Sequence, residues 1–315
     1  MSFVGGFVAA AAALFLWAQR KAGTTPVPPS LPLAALAIGG IQELTEPPQV
    51  VGRNEEPGTI NRRMEEMLRS GQERICAAIE AVDGQAKFRA DSWVLNSGNG
   101  GGISRVLANG KIWEKAGVNL SVIRSKMPQD ALPAATEKAA EYIKNMGLKP
   151  GEPVPFFVAS LSCVMHPRNP FCPTMHFNYR YFELDESNWW FAGGTDITPA
   201  YLDLEDMKHF HGTFKKVCDN YDADFYPRFK KNADEYFVIK HRGETRGLGG
   251  IFFDDLNDRD KDTLFRFCEE CLDNITTAYV PIIEKHKNDA FTEEQKQWQL
   301  LRRGRYTEFN LVYDR

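Results

Sequence analysis

Between Phe156 and Pro199 the chain reads FFVASLSCVMHPRNPFCPTMHFNYRYFELDESNWWFAGGTDITP, and its chemically capable residues recur at every second position. Residues two apart in an extended strand share a face. Thr174, His176, Asn178 and Arg180 therefore share one side, and Met175, Phe177, Tyr179 and Tyr181 share the other. In the preceding run Phe157, Ala159, Leu161, Cys163 and Met165 make an apolar face opposite Ser160, Ser162 and His166. A hydroxyl, an imidazole, an amide and a guanidinium aligned on a rigid strand can bind a polar ligand and pass it a proton. A sheet with one solvated face gives the same alternation, so no single position decides between the two.

Three groups carry the available chemistry. His166, His176, His211 and His241 supply enough imidazoles for a metal ion, although their spacing matches no metalloprotease or zinc-finger pattern. Arg180 and Arg246 offer planar forks that hold carboxylates bidentately; pairing with structural acids is the alternative. Asp196, after a Gly-Gly-Thr corner, and Asp314, at the end of the last strand, can accept N–H bonds from a ligand. Asp196 can equally be a turn residue. The lone CxxC of Cys268 and Cys271 lies in a helical stretch and reads as two core thiols rather than a zinc or redox motif. The glycine run from Gly98 to Gly102 fits neither the dinucleotide nor the P-loop spacing and reads as a hairpin turn.

These residues need a scaffold, and the rest of the chain supplies one. With 315 residues, 43% hydrophobic and 25% charged, the sequence suits one large globular domain or two ordinary ones. A net charge of −4 argues against a nucleic-acid binder, and six cysteines are too few for a disulfide framework. Residues 1–44 are acid-free up to Glu43, Ala-rich and then Pro-rich. Their apolar run is short for a membrane span, so they read as a targeting leader, with a secretory signal as the rival.

After the leader, apolar periodicity predicts a helix over 58–83, three strands in FRADSWVLN, NSGNGGGISRVL and GVNLSVIRSKM, and a helix over 131–146. Asp203 reads as the N-cap of a helix with Met207, His211, Phe214 and Cys218 inward. A helix from Pro227 to near Phe237 and a strand GIFFDDL follow. A long helix over 263–286 is expected to bend at Pro281. Thr292 with Gln295 reads as a capping box, and RYTEFNLVYDR as a final alternating strand. The pattern predicts an antiparallel sheet covered by helices.

The segments HPRNPFCPTMHFNYRYFE, WWFAGGTDITPAYL, YPRFKKNADEYFVIKHRGETRGLGGIFFDDL and LRRGRYTEFNLVYDR resemble the oxygen-dependent coproporphyrinogen III oxidases, with the likeness running from about residue 50 to the end. The resemblance implies an α+β fold, a large flat antiparallel sheet with helices on both faces, in a single domain over 45–315 that lacks the family's C-terminal segment. A homodimer is implied with it. The implied reaction is oxidative decarboxylation of two propionates of coproporphyrinogen III to vinyl groups, giving protoporphyrinogen IX in haem biosynthesis. Dioxygen is the co-substrate, hydrogen peroxide a product, and neither cofactor nor metal is required.

By the same resemblance His176 is the proton donor, and Asp314 and Asp196 receive pyrrole N–H groups, Asp314 acting as base. Ser162, Asn178, Tyr179, Arg180, Arg246 and Arg315 contact the substrate. His166, His176, His211 and His241 match positions treated as metal ligands in bacterial members. The implied location is the mitochondrial intermembrane space, with the leader associating with a membrane, or the cytosol as in yeasts. A shortened C-terminus would leave an unpaired strand edge and weak activity. The rival readings are a non-catalytic porphyrin binder using the same face and a histidine-dependent metallohydrolase.

Overall fold

In the computed structural model, which describes residues 58–95 and 99–314, the two alternating stretches are neighbouring middle strands of one seven-stranded sheet. Its members are β1 (Arg89–Val94), β2 (Gly100–Ala108), β3 (Trp113–Met127), β4 (Val154–Pro167), β5 (Thr174–Glu183) and β6 (Trp189–Thr198). The short strands β7 (Val238–Ile239) and β8 (Glu244–Thr245) form a separate ribbon, and β9 (Gly250–Leu256) completes the large sheet. The order is β1-β2-β3-β4-β5-β6-β9, with every pairing antiparallel. The leader at 1–44, the boundary at residue 45, Gly98 and Arg315 lie outside the described residues.

One face of the sheet is mostly apolar. Val118, Leu120 and Val122 of β3 pair with Cys163, Leu161 and Ala159 of β4, and those with Phe177, Tyr179 and Tyr181 of β5. All are buried. Helix α1 (Ile60–Asp83) covers this face with Met64, Leu68, Ile75 and Ile79. Its Gly71 allows close approach, since a Cβ there would sit 2.5 Å from a Leu272 methyl. The helix ends on Asp83, whose carboxylate accepts backbone N–H bonds from Ala86 (2.8 Å), Lys111 (3.1 Å) and Ile112 (2.9 Å). Burial alone would raise this carboxyl's pKa, but the converging N–H groups outweigh it and hold the pKa below its ordinary value.

The opposite face carries the 3₁₀ turn Gln129–Ala134 and the short helix α2 (Ala139–Asn145), where one continuous helix over 131–146 is the sequence expectation. Pro133 inside the turn and the lack of a side-chain cap on α2 keep the two apart. They pack on Ile123, Val158, Phe182 and Trp190 at one end of the sheet. Helices therefore cover both faces of a single α+β domain, as expected.

Helix α3 (Leu204–Asp219) begins at Asp203, whose side chain accepts from the Glu205 and Asp206 N–H groups. Its buried stripe is Phe210, Phe214, Val217 and Cys218, with Met207 and His211 only half-buried at its margin. After α4 (Phe225–Tyr236), the stretch at 263–286 forms two helices, α5 (Lys261–Asp273) and α6 (Ile275–His286). The break is at Asn274, and Pro281 lies inside α6 without ending it. A proline cannot donate to the carbonyl four residues back. That carbonyl, on Thr277, takes its bond from His209 Nε2 at 2.9 Å. The neighbouring helix thus repairs the gap.

Two further expectations are corrected. The Gly-Gly-Thr-Asp corner is strand, part of β6, whose register against β9 shifts between Phe191 and Gly193. The final strand is helix: α7 (Glu293–Val312) starts from a complete Thr292/Gln295 capping box and runs through RYTEFNLV. Gln299, Tyr306 and Phe309, its buried residues, follow helical rather than alternating spacing. The six cysteines are free and buried, Cys268 and Cys271 among them. Among the described residues no helix is long and apolar enough to cross a membrane.

Candidate active site

Directly opposed residues of antiparallel strands point to the same face, so the register shows what the second face presents. One row runs Ser104, Asn119, Ser162, Asn178, Gly194 across β2 to β6. The row on one side is Gly102, Ser121, Ser160, Arg180, Ala192, and on the other Val106, Gly117, Val164, His176, Asp196. Apart from Val106 and Val164, the floor is polar or small. Aromatic clusters flank it: Trp93, Phe182 and Trp190 at one end, and Tyr236, Phe237 and Phe309 at the other. The result is a polar floor, or trough, between two apolar clusters, the composition of a ligand site.

At the second end, His176 and Asp196 occupy paired positions on β5 and β6, and His176 Nδ1 lies 2.7 Å from Asp196 Oδ1. The other carboxylate oxygen accepts from Arg246 Nη2 at 2.5 Å. Arg246 is almost fully buried, donates to Asn310 Oδ1 at 2.9 Å, and has the Phe237 ring 4.0 Å from its guanidinium carbon. Burial pushes the Asp196 carboxyl up, but the charges of Arg246 and His176 outweigh it, so Asp196 stays ionised. An ionised Asp196 accepts the Nδ1 proton of His176, which fixes the tautomer.

The other expected site residues divide. Ser162 and Asn178 lie side by side on the trough floor, and Arg180 stands two residues along β5. The Arg180 side chain is 33% exposed, with Nη2 3.6 Å from Asp254 Oδ1, so it is the more accessible of the two guanidiniums. Arg246, proposed to meet a propionate, is engaged by Asp196 and Asn310 instead. Tyr179 faces the other side of the sheet, in the core, with its hydroxyl 2.6 Å from Thr195 Oγ1. Asp314, at the end of a helix rather than a strand, is exposed and accepts from the Tyr236 hydroxyl at 2.8 Å.

The four candidate metal histidines do not converge. His166 faces Thr174 Oγ1 (3.3 Å), His211 the Tyr226 hydroxyl (3.1 Å), and His241 the Tyr313 hydroxyl and Glu308. Burial, with Arg303 adding, pushes the His166 pKa down to about 3. Among the described residues the group whose ligand atoms lie within 4.8 Å of one another is Asp203, Asp206 and His286, away from these four. Lys285 already bridges its two aspartates.

Sequence reasoning missed Asn119 and Ser121, which the register places on the trough floor. The signal was present: in GVNLSVIRS they alternate with the buried Val118, Leu120 and Val122. It missed Asn310, on helix α7 where a strand is the expectation, and Tyr236 of α4, whose partner Asp314 follows that helix.

A helix-covered antiparallel sheet with an acid-held histidine on its polar face defines a small-molecule enzyme scaffold. The family model for coproporphyrinogen III oxidase matches residues 63–315. The chain is 56% identical over 265 residues to the chloroplastic oxygen-dependent coproporphyrinogen-III oxidase of Glycine max, covering 82% of this chain and 67% of that protein. It is 48% identical over 263 residues to the mitochondrial enzyme of Rattus norvegicus, covering 82% and 58%. Against the mitochondrial enzyme of Homo sapiens the figures are 47% over 267 residues, 82% and 57%. The chain belongs to the coproporphyrinogen III oxidase family and spans about two thirds or less of the length of these relatives.

Proposed function

We propose that the chain catalyses the oxygen-dependent decarboxylation of two propionates of coproporphyrinogen III to vinyl groups, yielding protoporphyrinogen IX for haem synthesis. The observation that carries this reading is the His176–Asp196–Arg246 chain opening onto a polar trough, in a protein whose relatives bear that enzyme's name.

A tetrapyrrole carrying four carboxylates and four N–H groups suits a floor of hydroxyls and amides between aromatic walls. From His176 to Arg180 is about 14 Å along the strand, the scale of such a ring with its side chains. Arg180, with Ser162 and Asn178, holds propionate or ring groups. Asp314 takes a pyrrole N–H proton, which raises the electron density of that ring. Each propionate then loses its carboxyl group as carbon dioxide and one hydrogen from its β-carbon. The hydrogen leaves as one proton and two electrons, which with a second proton from solvent reduce one dioxygen to hydrogen peroxide, and the pyrrole nitrogen takes its proton back from Asp314. His176, with Nδ1 fixed by Asp196, handles a proton at Nε2. Asp196 and Arg246 position it, and Arg315, which lies outside the described residues, is proposed as a further propionate contact. No metal or organic cofactor is required in this scheme.

The test is anaerobic loading with coproporphyrinogen III followed by admission of oxygen. Vinyl product and peroxide are expected in a ratio of one to one per propionate. Binding without turnover would replace the oxidase by a porphyrin carrier. The chain is further proposed to act as a homodimer, checked by sedimentation. Its location is proposed as the mitochondrial intermembrane space, with membrane association through the leader. The rat and human relatives are labelled mitochondrial and the soybean one chloroplastic, and a reporter fused to residues 1–44 decides.

A further inference from the structure

We propose that Asn119 is a further substrate-binding residue, its side-chain amide donating to a propionate carboxylate at the rim of the tetrapyrrole. This rests on the tetrapyrrole reading above. Asn119 pairs with Ser162, and Ser162 with Asn178, so the three form one line across adjacent strands. At about 4.8 Å per strand, Asn119 lies about 10 Å from Asn178 and about 14 Å from the His176–Asp196 side of the sheet beyond β5.

Its amide is half-buried and has no hydrogen-bond partner among the described residues, and neither has the Ser162 hydroxyl. Neither group is spent on another described side chain, so both remain available to a ligand on this face. Its orientation supports this. Asn119 Nδ2 lies 3.6 Å from where a Cβ on Gly117 would be, and nothing else comes within 4 Å of that point. Gly117 shares its row with Val164 and His176. The donor thus leans over bare backbone towards the histidine row, with open space where a larger residue would stand.

The ligand group at this position is a carboxylate rather than a pyrrole N–H. Asp196, on the far side, is engaged by His176 and Arg246, and a tetrapyrrole keeps its N–H groups at its centre and its carboxylates at its rim. Asn119 stands three strand spacings from Asp196, where the side chains of a ring centred between them would reach. An amide there offers two N–H donors and no charge, enough to hold a carboxylate without burying a cation.

The experiment compares Asn119→Asp, Asn119→Ala and Asn119→Ser with the parent. Binding is titrated by fluorescence with coproporphyrin III, the oxidised tetracarboxylate, and with mesoporphyrin, a dicarboxylate. KM and kcat are measured with coproporphyrinogen III. Asn119→Asp is expected to weaken coproporphyrin binding at least tenfold and Asn119→Ala about threefold to tenfold, with Asn119→Ser between Ala and the parent. The loss for mesoporphyrin is smaller. KM rises while kcat stays within about twofold, and the melting temperature holds. Equal affinity of parent and Asn119→Asp would overturn the proposal, as would equal losses for both porphyrins or a parent that binds neither. A parent that binds coproporphyrin but does not turn over coproporphyrinogen removes the oxidase reading alone, and the binding comparison still decides on Asn119.

Discussion

His176 and Asp196 meet side by side across two hydrogen-bonded strands, with 2.7 Å between Nδ1 and Oδ1. The sheet register itself sets the pair, so no loop has to move to assemble it. His176→Asn retains a donor near the Nδ1 position and removes Nε2. Turnover should fall by about 10² to 10⁴, with the melting temperature within a few degrees of the parent. Unchanged vinyl formation would remove His176 from the chemistry.

The second relationship is energetic. Asp196 and Arg246 are both buried and form a salt bridge, and breaking such a pair from one side leaves a stranded charge. Asp196→Asn or Arg246→Met alone should cost about 3–5 kcal/mol in urea unfolding. The double variant should cost less than the sum of the two. Strict additivity would show that the pair is not coupled.

Acid sensitivity follows from His166. Its folded pKa of about 3 lies below the ordinary 6.5, so on acidification the unfolded chain takes up the proton first. The stability contributed is fully present above pH 6.5 and is lost as pH falls towards 3. The slope is about 1.4 kcal/mol per pH unit. Asp83 and Asp196, both depressed, add losses of the same sign below about pH 4. Unfolding curves of the parent and His166→Asn between pH 7 and 4.5 should diverge, with the variant flatter. Parallel curves would contradict the assignment.

His209 and Pro281 make a third testable pair. His209→Ala should cost about 1 kcal/mol, because it strands the Thr277 carbonyl. In a Pro281→Ala background, where the helix regains its own donor, the same change should cost little. An equal penalty in both backgrounds would assign His209 another role.

Much of this molecule was legible in its residues, and the failures have physical causes. Phe157 to Met165 and Met175 to Tyr181 gave their buried faces correctly because strand periodicity is two wherever one side is covered. In RYTEFNLVYDR, β-prone aromatic and branched residues suggested a strand, but the capping box fourteen residues before Tyr306 starts a helix that carries straight through. Helix stripes also outvote local propensity at Pro281, where the neighbouring helix supplies the missing donor. The site was legible to the extent that His176, Asn178 and Arg180 belong to one strand. The engagement of Arg246 by Asp196, fifty residues apart in sequence, is a product of tertiary packing that no local pattern encodes. The inward position of Tyr179 follows from the same alternation that places Asn178 and Arg180 outward.

The six buried thiols acquire a meaning from the proposed chemistry. Peroxide oxidises thiolates, not thiols. Burial pushes Cys76, Cys172 and Cys218 up to about 12, and Cys163, Cys268 and Cys271 are raised as well. A catalyst that generates an oxidant at each turnover thereby keeps its own sulfur out of range, and folding serves as the antioxidant. Its alkylation by iodoacetamide should proceed only as fast as the chain unfolds.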